Sequence, residues 1–346
     1  MSTSPIRTLL IEDSAFMRII ITDMLRAEKD IELVGVAKNG KDGVDKTLEL
    51  RPDVVITDMV MPLYDGLYAV KNIMNKKPTP IILISSLERN DTLVFDALEA
   101  GAVDFIDKPK GNSAIGGGQG YHLPDLIRAV SKSRGTLPKP LVERPNLNNH
   151  VFTDNLNYRL IAIGASTGGP GAIEVILKKM PANLAIPVVI AQHMPEGFLE
   201  SFAKRLDALS PLKVKLAYKG ETPEAGTIYL APGMANTQLV RNPLNGQITF
   251  EYVYREYKEF NNPSIDCLFE SVAQVYGNKA LAVVLTGMGK DGTVGLQAIK
   301  NKGGFTIGQD EKSSVVYGMP KSAYESGAIS RQVSLNDIPG FIISCL

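Results

Sequence analysis

The chain has 346 residues, of which 44% are hydrophobic and 21% charged, and at roughly 150 residues per domain that suits a globular protein of two domains. Lys plus Arg equals Asp plus Glu at 37 each, so no bulk charge draws it to nucleic acid or anionic lipid. No apolar run approaches the roughly eighteen residues of a membrane-crossing helix, and the first apolar stretch is cut short by Glu12 and Asp13, so neither membrane insertion nor a signal peptide is expected.

From residue 6 to 130, apolar runs at 8–11, 32–36, 54–57, 81–84 and 103–106 alternate with helical spacings, such as Phe16, Ile19, Ile20, Met24 and Leu25 within 15–27. Five strands alternating with five helices predict a doubly wound parallel α/β sheet covered on both faces. The Gly-rich run GNSAIGGGQG at 111–120 reads as a flexible insert rather than a phosphate loop, since no strand feeds it. Residues 131–157 carry three prolines, five asparagines and no helical period, the composition of a linker. The alternation resumes after Tyr158, with apolar runs at 160–163, 187–191, 227–230, 281–285 and 305–307 and helical stretches at 171–180 and 268–276. The segment 214–254 reads as hairpin-rich, with Asn245-Gly246 its clearest turn. The predicted organisation is a domain at 1–130, a linker at 131–157 and a second α/β domain at 158–346, mainly parallel with an antiparallel hairpin portion. Cys267 and Cys345 are far apart and lack ligand spacing, which points to a reduced, cytoplasmic protein without structural zinc.

In a doubly wound sheet, functional groups gather at the carboxyl ends of the strands. Glu12 and Asp13 end the first run, Asp58 the third, Ser85 and Ser86 the fourth, and Lys108 and Pro109 the fifth. Taken singly, each reads sooner as a loop residue or helix cap than as a functional group. Together, three carboxylates at one edge repel one another unless a divalent cation neutralises them, and an oxygen-only set suits Mg²⁺. A carboxylate beside such a cation can accept a phosphoryl group, with a hydroxyl and a lysine opposite to hold its oxygens. The residues resemble the response-regulator receiver family across about 1–130: Glu12-Asp13, Asp58 in TDMVMPLYDG, Ser85 in ISS, and Lys108-Pro109 in DFIDKP. The resemblance implies a flavodoxin-like receiver in which Asp58 is the phosphoacceptor and Glu12, Asp13 and Asp58 bind Mg²⁺. It further implies that Ser85 and Lys108 contact the phosphate and that Phe105 repositions on signalling. Glu12 stands where many receivers carry Asp.

In the second half, the run 160–163 leads into Gly164-Ala165-Ser166-Thr167-Gly168-Gly169-Pro170 and then a helix. Small residues around Ser166 allow a tight strand-to-helix turn, which suits a nucleophilic serine or a backbone cradle for phosphate. A serine needs a base. His122 sits beside the Gly-rich insert and His150 in the linker, whereas His193 follows an apolar run in AQHMP. Asp291 lies in the glycine-rich strand end TGMGKDG, placed either to orient an imidazole or to cap the next helix. Ser, His and Asp at three strand ends favour a triad, and the chain order Ser166, His193, Asp291 is not that of an α/β-hydrolase.

GASTGGP, AQHMP and TGMGKDG resemble the catalytic domain of the chemotaxis-type protein-glutamate methylesterases, over about 158–340. Further matches are Asn262-Pro263-Ser264-Ile265-Asp266, Tyr229-Leu230-Ala231-Pro232-Gly233 and Gln309-Asp310-Glu311 with the following SSVVYGMP. The resemblance puts Ser166, His193 and Asp291 on the family's triad and makes the Met288 N–H the oxyanion donor. It implies a phosphorylation-activated serine esterase that demethylates glutamate methyl esters of chemoreceptors, releases methanol and deamidates receptor glutamines. A histidine kinase of a chemotaxis-type array would be the phosphodonor, Mg²⁺ would serve the receiver, and the esterase would need no cofactor. Against this stand a non-enzymatic adaptor and a nucleotide-binding output domain, though GASTGGP lacks the lysine of a phosphate loop. A DNA-binding output lacks an evident basic recognition helix. A tethered receiver acts on its neighbour at high effective concentration, so deletion of 1–150 is expected to raise basal activity.

Overall fold

The computed structural model describes residues 4–85, 91–108, 123–133, 158–254, 257 and 263–346. The chain divides into two compact units, Met1–Pro140 and Leu141–Leu346. The Gly-rich run at 111–120, His122, His150 and nearly all of the expected linker lie outside the described residues.

In the first unit, β1 (Ile6–Ile11), β2 (Ile31–Ala37), β3 (Val54–Asp58), β4 (Ile81–Ser85) and β5 (Asp104–Asp107) form one parallel sheet in the order β2-β1-β3-β4-β5. Helices α1 (Ala15–Arg26), α2 (Gly40–Leu50), α3 (Gly66–Lys76), α4 (Asp91–Glu99) and α5 (Leu123–Val130) connect and cover the strands. Every residue of β3 and β4 is buried, as the unbroken apolar runs require of strands covered on both faces. On α1, Met17, Ile21 and Leu25 recur every four residues and form the buried stripe, while the Ser14 side chain caps the helix by accepting from Met17 N–H. Burying each such side chain stabilises the unit by about 1.5–3 kcal/mol.

The second unit carries β6 (Leu160–Ala165), α6 (Gly169–Leu177), β7 (Val188–Gln192), α7 (Glu196–Leu209), β8 (Lys213–Leu216), β9 (Thr227–Leu230), β10 (Asn236–Arg241) and β11 (Ile248–Val253). There follow α8 (Ile265–Tyr276), β12 (Ala280–Val284), α9 (Thr293–Asn301), β13 (Phe305–Gln309), α10 (Met319–Glu325), β14 (Arg331–Val333) and α11 (Ile338–Cys345). Seven strands form a parallel sheet in the order β14-β13-β12-β6-β7-β9-β8. β6 therefore has β7 on one side and β12 on the other, the place where successive connections diverge and a crevice opens at the carboxyl ends.

The hairpin-rich reading of 214–254 holds for β10 and β11, which pair antiparallel and turn through Gly246 at φ +74°. It fails for β8 and β9. These pair parallel, Val214 opposite Ile228, and extend the main sheet. Their connection runs along the hairpin instead of forming a helix, with Gly220 N–H donating to Phe250 O at 2.7 Å and Phe250 N–H to Glu221 O at 2.9 Å. Phe250 packs on Tyr229 with ring centroids 5.0 Å apart, joining hairpin to sheet through a core that includes Leu268, Phe269 and Leu160.

Candidate functional site

In the first unit, strand pairing brings the acidic residues together. Ile11 pairs with Thr57 and Asp58 with Ile84, so Glu12, Asp58 and Ser85 leave neighbouring strands at the same edge. Lys108 N–H donates to Ser85 O at 2.8 Å just beyond β5. Its Nζ lies 2.7 Å from Asp58 Oδ2 and 3.4 Å from Glu12 Oε2. Glu12 and Asp58 are buried and Asp13 is exposed. Burial and the neighbouring Asp58 charge push Glu12 up to about 7, against the pull of Lys108. Burial likewise raises Asp58, with Lys108 opposing. For Lys108, burial disfavours the charge, but Asp58 and Glu12 outweigh it and raise the ammonium above its ordinary value. Ser85 is buried at the end of β4, and Phe105 is buried on β5 opposite Leu83.

Glu12, Asp13 and Asp58 each offer an oxygen within 4.8 Å of the others, and the buried Glu12 Oε2 is met by Lys108 Nζ at 3.4 Å without a well-formed hydrogen bond. A buried carboxylate oxygen held by no more than a long contact to the Lys108 ammonium, in an all-oxygen cluster, fits Mg²⁺, which favours such ligands and keeps several waters.

In the second unit, β6 ends at Ala165, paired with Gln192 at the end of β7. Ser166 and His193 therefore leave adjacent parallel strands side by side, and His193 N–H donates to Ala165 O at 3.0 Å. Ser166 N–H donates to Thr286 O at 3.0 Å, fixing the serine to the segment that follows β12. His193 Nε2 lies 2.8 Å from Asp291 Oδ2, with both side chains almost wholly buried. The ring is thus held to Asp291 through Nε2. Burial disfavours charge on Asp291, but His193 and the Ile265 and Asp266 N–H groups prevail and hold its carboxyl below the ordinary value.

Asp291 does not cap the helix that follows it. Gly292 occupies the N-cap of α9, and the Asp291 carboxylate accepts from Ile265 N–H at 2.7 Å and Asp266 N–H at 2.9 Å in the first turn of α8. The Gly287–Met288 loop approaches the serine so closely that a Cβ on Gly287 would sit 2.6 Å from Ser166 Cβ. That loop is pinned by Gly287 O, which accepts from Met319 N–H at 2.8 Å, and by Thr286 Oγ1, which donates to Thr167 O at 2.9 Å.

Residues 161–342 match the CheB methylesterase family, and residues 8–116 match the response regulator receiver domain. The chain belongs to the CheB methylesterase family. It is 38% identical to a protein-glutamate methylesterase/protein-glutamine glutaminase of Thermotoga maritima, over 99% of each chain. A second relative, protein-glutamate methylesterase/protein-glutamine glutaminase 2 of Carboxydothermus hydrogenoformans, is 40% identical over 98% of this chain and 99% of its own. The crystal structure of the Thermotoga maritima CheB methylesterase catalytic domain covers 55% of this chain and 100% of its own, with a TM-score of 0.53 at 38% identity. The two-part architecture is that of a CheB protein: an N-terminal receiver followed by a catalytic domain with a parallel sheet and an antiparallel hairpin.

Two residues that brace this CheB site, Gln192 in AQHMP and Gln309 in the run Gln309-Asp310-Glu311, carry no expected role in the sequence reading. Gln192 Nε2 donates to Ser166 O at 3.0 Å and His193 O at 2.9 Å, tying the serine turn to the histidine turn. Gln309 Oε1 accepts from Thr286 N–H at 2.8 Å and holds the loop before Met288. Gln192 is visible in the sequence as the residue before His193, but a buried amide bridging two turns has no local signature.

Proposed function

We propose that this protein is a phosphorylation-activated protein-glutamate methylesterase that demethylates glutamate methyl esters of chemoreceptors and deamidates receptor glutamines. The observation that carries the reading is the buried 2.8 Å contact between His193 and Asp291, on the strand edge shared with Ser166. The full-length likeness to CheB proteins supports it. Among the described residues no helix is long and apolar enough to cross a membrane, and a cytoplasmic enzyme acting on the receptors' cytoplasmic segments fits that.

In the proposed mechanism His193 takes the proton of Ser166 Oγ as that oxygen attacks the ester carbonyl carbon. Asp291, held ionised, fixes the imidazole and stabilises the imidazolium that forms. The developing oxyanion is met by the Met288 N–H, positioned by the pinned loop. The carbon–methoxy bond breaks, His193 returns the proton, and methanol leaves. Water then attacks the acyl-enzyme with His193 as base, releasing the glutamate carboxylate and regenerating the Ser166 hydroxyl. A side-chain amide follows the same route and releases ammonia.

On the receiver, Asp58 is the phosphoacceptor and a histidine kinase of a chemotaxis-type array the donor. Glu12, Asp13 and Asp58 would hold Mg²⁺, which when bound neutralises the carboxylates and the incoming phosphoryl oxygens. Lys108 is placed to exchange its Asp58 contact for a phosphate oxygen, and Ser85 to donate its hydroxyl to another. Phe105, two residues before Asp107 on β5, carries the change outward, and phosphorylation relieves a restraint of the receiver on the esterase. The reading is tested by mass spectrometry of a receptor fragment carrying methyl esters and glutamines. The wild-type chain converts both to glutamate and Ser166→Ala converts neither; conversion by Ser166→Ala overturns it.

A further inference from the structure

Asp291 shares its surroundings with a second carboxyl group. Asp291 accepts from the N–H groups of Ile265 and Asp266, the first residues of α8. In return, Asp266 Oδ1 accepts from Gly295 N–H at 2.8 Å, in the first turn of α9. The N-terminal ends of α8 and α9 thus meet across two carboxyl groups, each capping the helix that the other one begins or precedes.

The two acids are unequal. The Asp291 carboxylate is met by His193 Nε2, the N–H groups of Ile265, Asp266 and Gly292, and Ser264 Oγ. The Asp266 side chain receives only the Gly295 N–H among the described hydrogen bonds, while its own backbone N–H reaches Asp291 Oδ1 at 2.9 Å, which sets the two carboxyl groups beside each other. Like charges in neighbouring carboxyl groups do not both ionise easily, so a proton retained by the pair belongs on the acid with fewer donors, Asp266. Burial and the Asp291 charge push Asp266 up to about 7. The titratable groups that face it are Asp291, from the segment before α9, and Glu270, one turn along α8, with His193 beyond Asp291.

We propose that Asp266 is a positioning residue of the triad: as a neutral acid beside Asp291 it limits the negative charge behind His193, and on losing its proton it adds a second negative charge there. Asp266 acts through Asp291. Since the transition state carries an imidazolium, loss of the Asp266 proton favours it and raises the rate. This inference rests on the esterase reading above.

The test compares the full-length wild type with Asp266→Asn, which keeps an acceptor for Gly295 N–H but cannot ionise. The measurement is kcat/KM for methanol release from methylated receptor membranes between about pH 5.5 and about pH 9. The variant should match the wild type within about twofold below about pH 6 and fall behind by roughly three- to tenfold above about pH 8. Superimposable profiles overturn the inference and leave Asp266 as a helix cap. A second measurement needs no substrate and no variant activity: in wild-type protein labelled with ¹³C at the aspartate carboxyls, the Asp266 resonance should titrate near 7. Titration in the ordinary aspartate range overturns the inference. Absence of methanol release from the wild type counts instead against the esterase reading, and the carboxyl resonance still decides the pair.

Discussion

Lys108 Nζ lies 2.7 Å from Asp58 Oδ2. The same ammonium faces Glu12, so one cation serves two buried carboxyl groups and leaves Glu12 raised to about 7. The folded receiver therefore holds the Glu12 proton at pH values where the unfolded chain has lost it, from its ordinary 4.5 to about 7. More protons bound in the folded state means stability falls as pH rises through that window, by about 3 kcal/mol at most from this group. Mg²⁺ should stabilise the receiver strongly at about pH 8 and little at about pH 5, and Glu12→Gln should flatten the pH dependence. Calorimetry of the receiver transition with and without Mg²⁺ checks this. A transition that gains stability between those pH values without the cation contradicts it.

Asp291→Asn should lower kcat by about 10³–10⁴, because an amide facing Nε2 favours the wrong tautomer of His193. With its amide toward Nε2 the variant keeps an oxygen for Asp266 N–H but gives up the acceptor of Ile265 N–H, whereas Asp291→Ala loses both and should lose more stability, about 1–2 kcal/mol. Steady-state kinetics paired with urea melts separates the two effects.

Gln192→Leu leaves the Ser166 and His193 carbonyls without their shared donor. The expected result is a loss of about 1–3 kcal/mol in stability, with kcat falling more than KM rises, since what is lost is alignment of the two turns. An unchanged kcat in a destabilised variant would restrict Gln192 to folding.

Gly287→Ala places a methyl group 2.6 Å from Ser166 Cβ and 2.5 Å from Met319 Sδ. Displacement of the serine or of the loop before Met288 should cost about 10²-fold or more in the rate of Ser166 phosphonylation by a fluorophosphonate probe. A labelling rate equal to wild type contradicts the placement of this loop against Ser166.

The strands that position both sites were legible because their apolar runs are buried on both faces: β3, β4, β6, β7, β9 and β12 have no exposed residue. The segment Lys213–Leu216 gave no such signal. Its lysines alternate with apolar residues as an edge strand does, and its parallel partner is set by contacts far along the chain. The three residues of β14 are too few and too polar to stand out. At the site, Ser166, His193 and Asp291 were legible from strand ends and glycine-rich turns. The capping of α8 by Asp291, the capping of α9 by Asp266 and the Gln192 bridge were not, since each depends on which helix ends and turns the tertiary fold brings together.

The most direct test of the central claim is methanol release from methylated receptor membranes by the full chain, with and without acetyl phosphate and Mg²⁺. The account predicts release that rises with the phosphodonor, loses that rise in Asp58→Asn and disappears in Ser166→Ala. Release that persists in Ser166→Ala, or none from folded wild-type protein on receptors it binds, would contradict it.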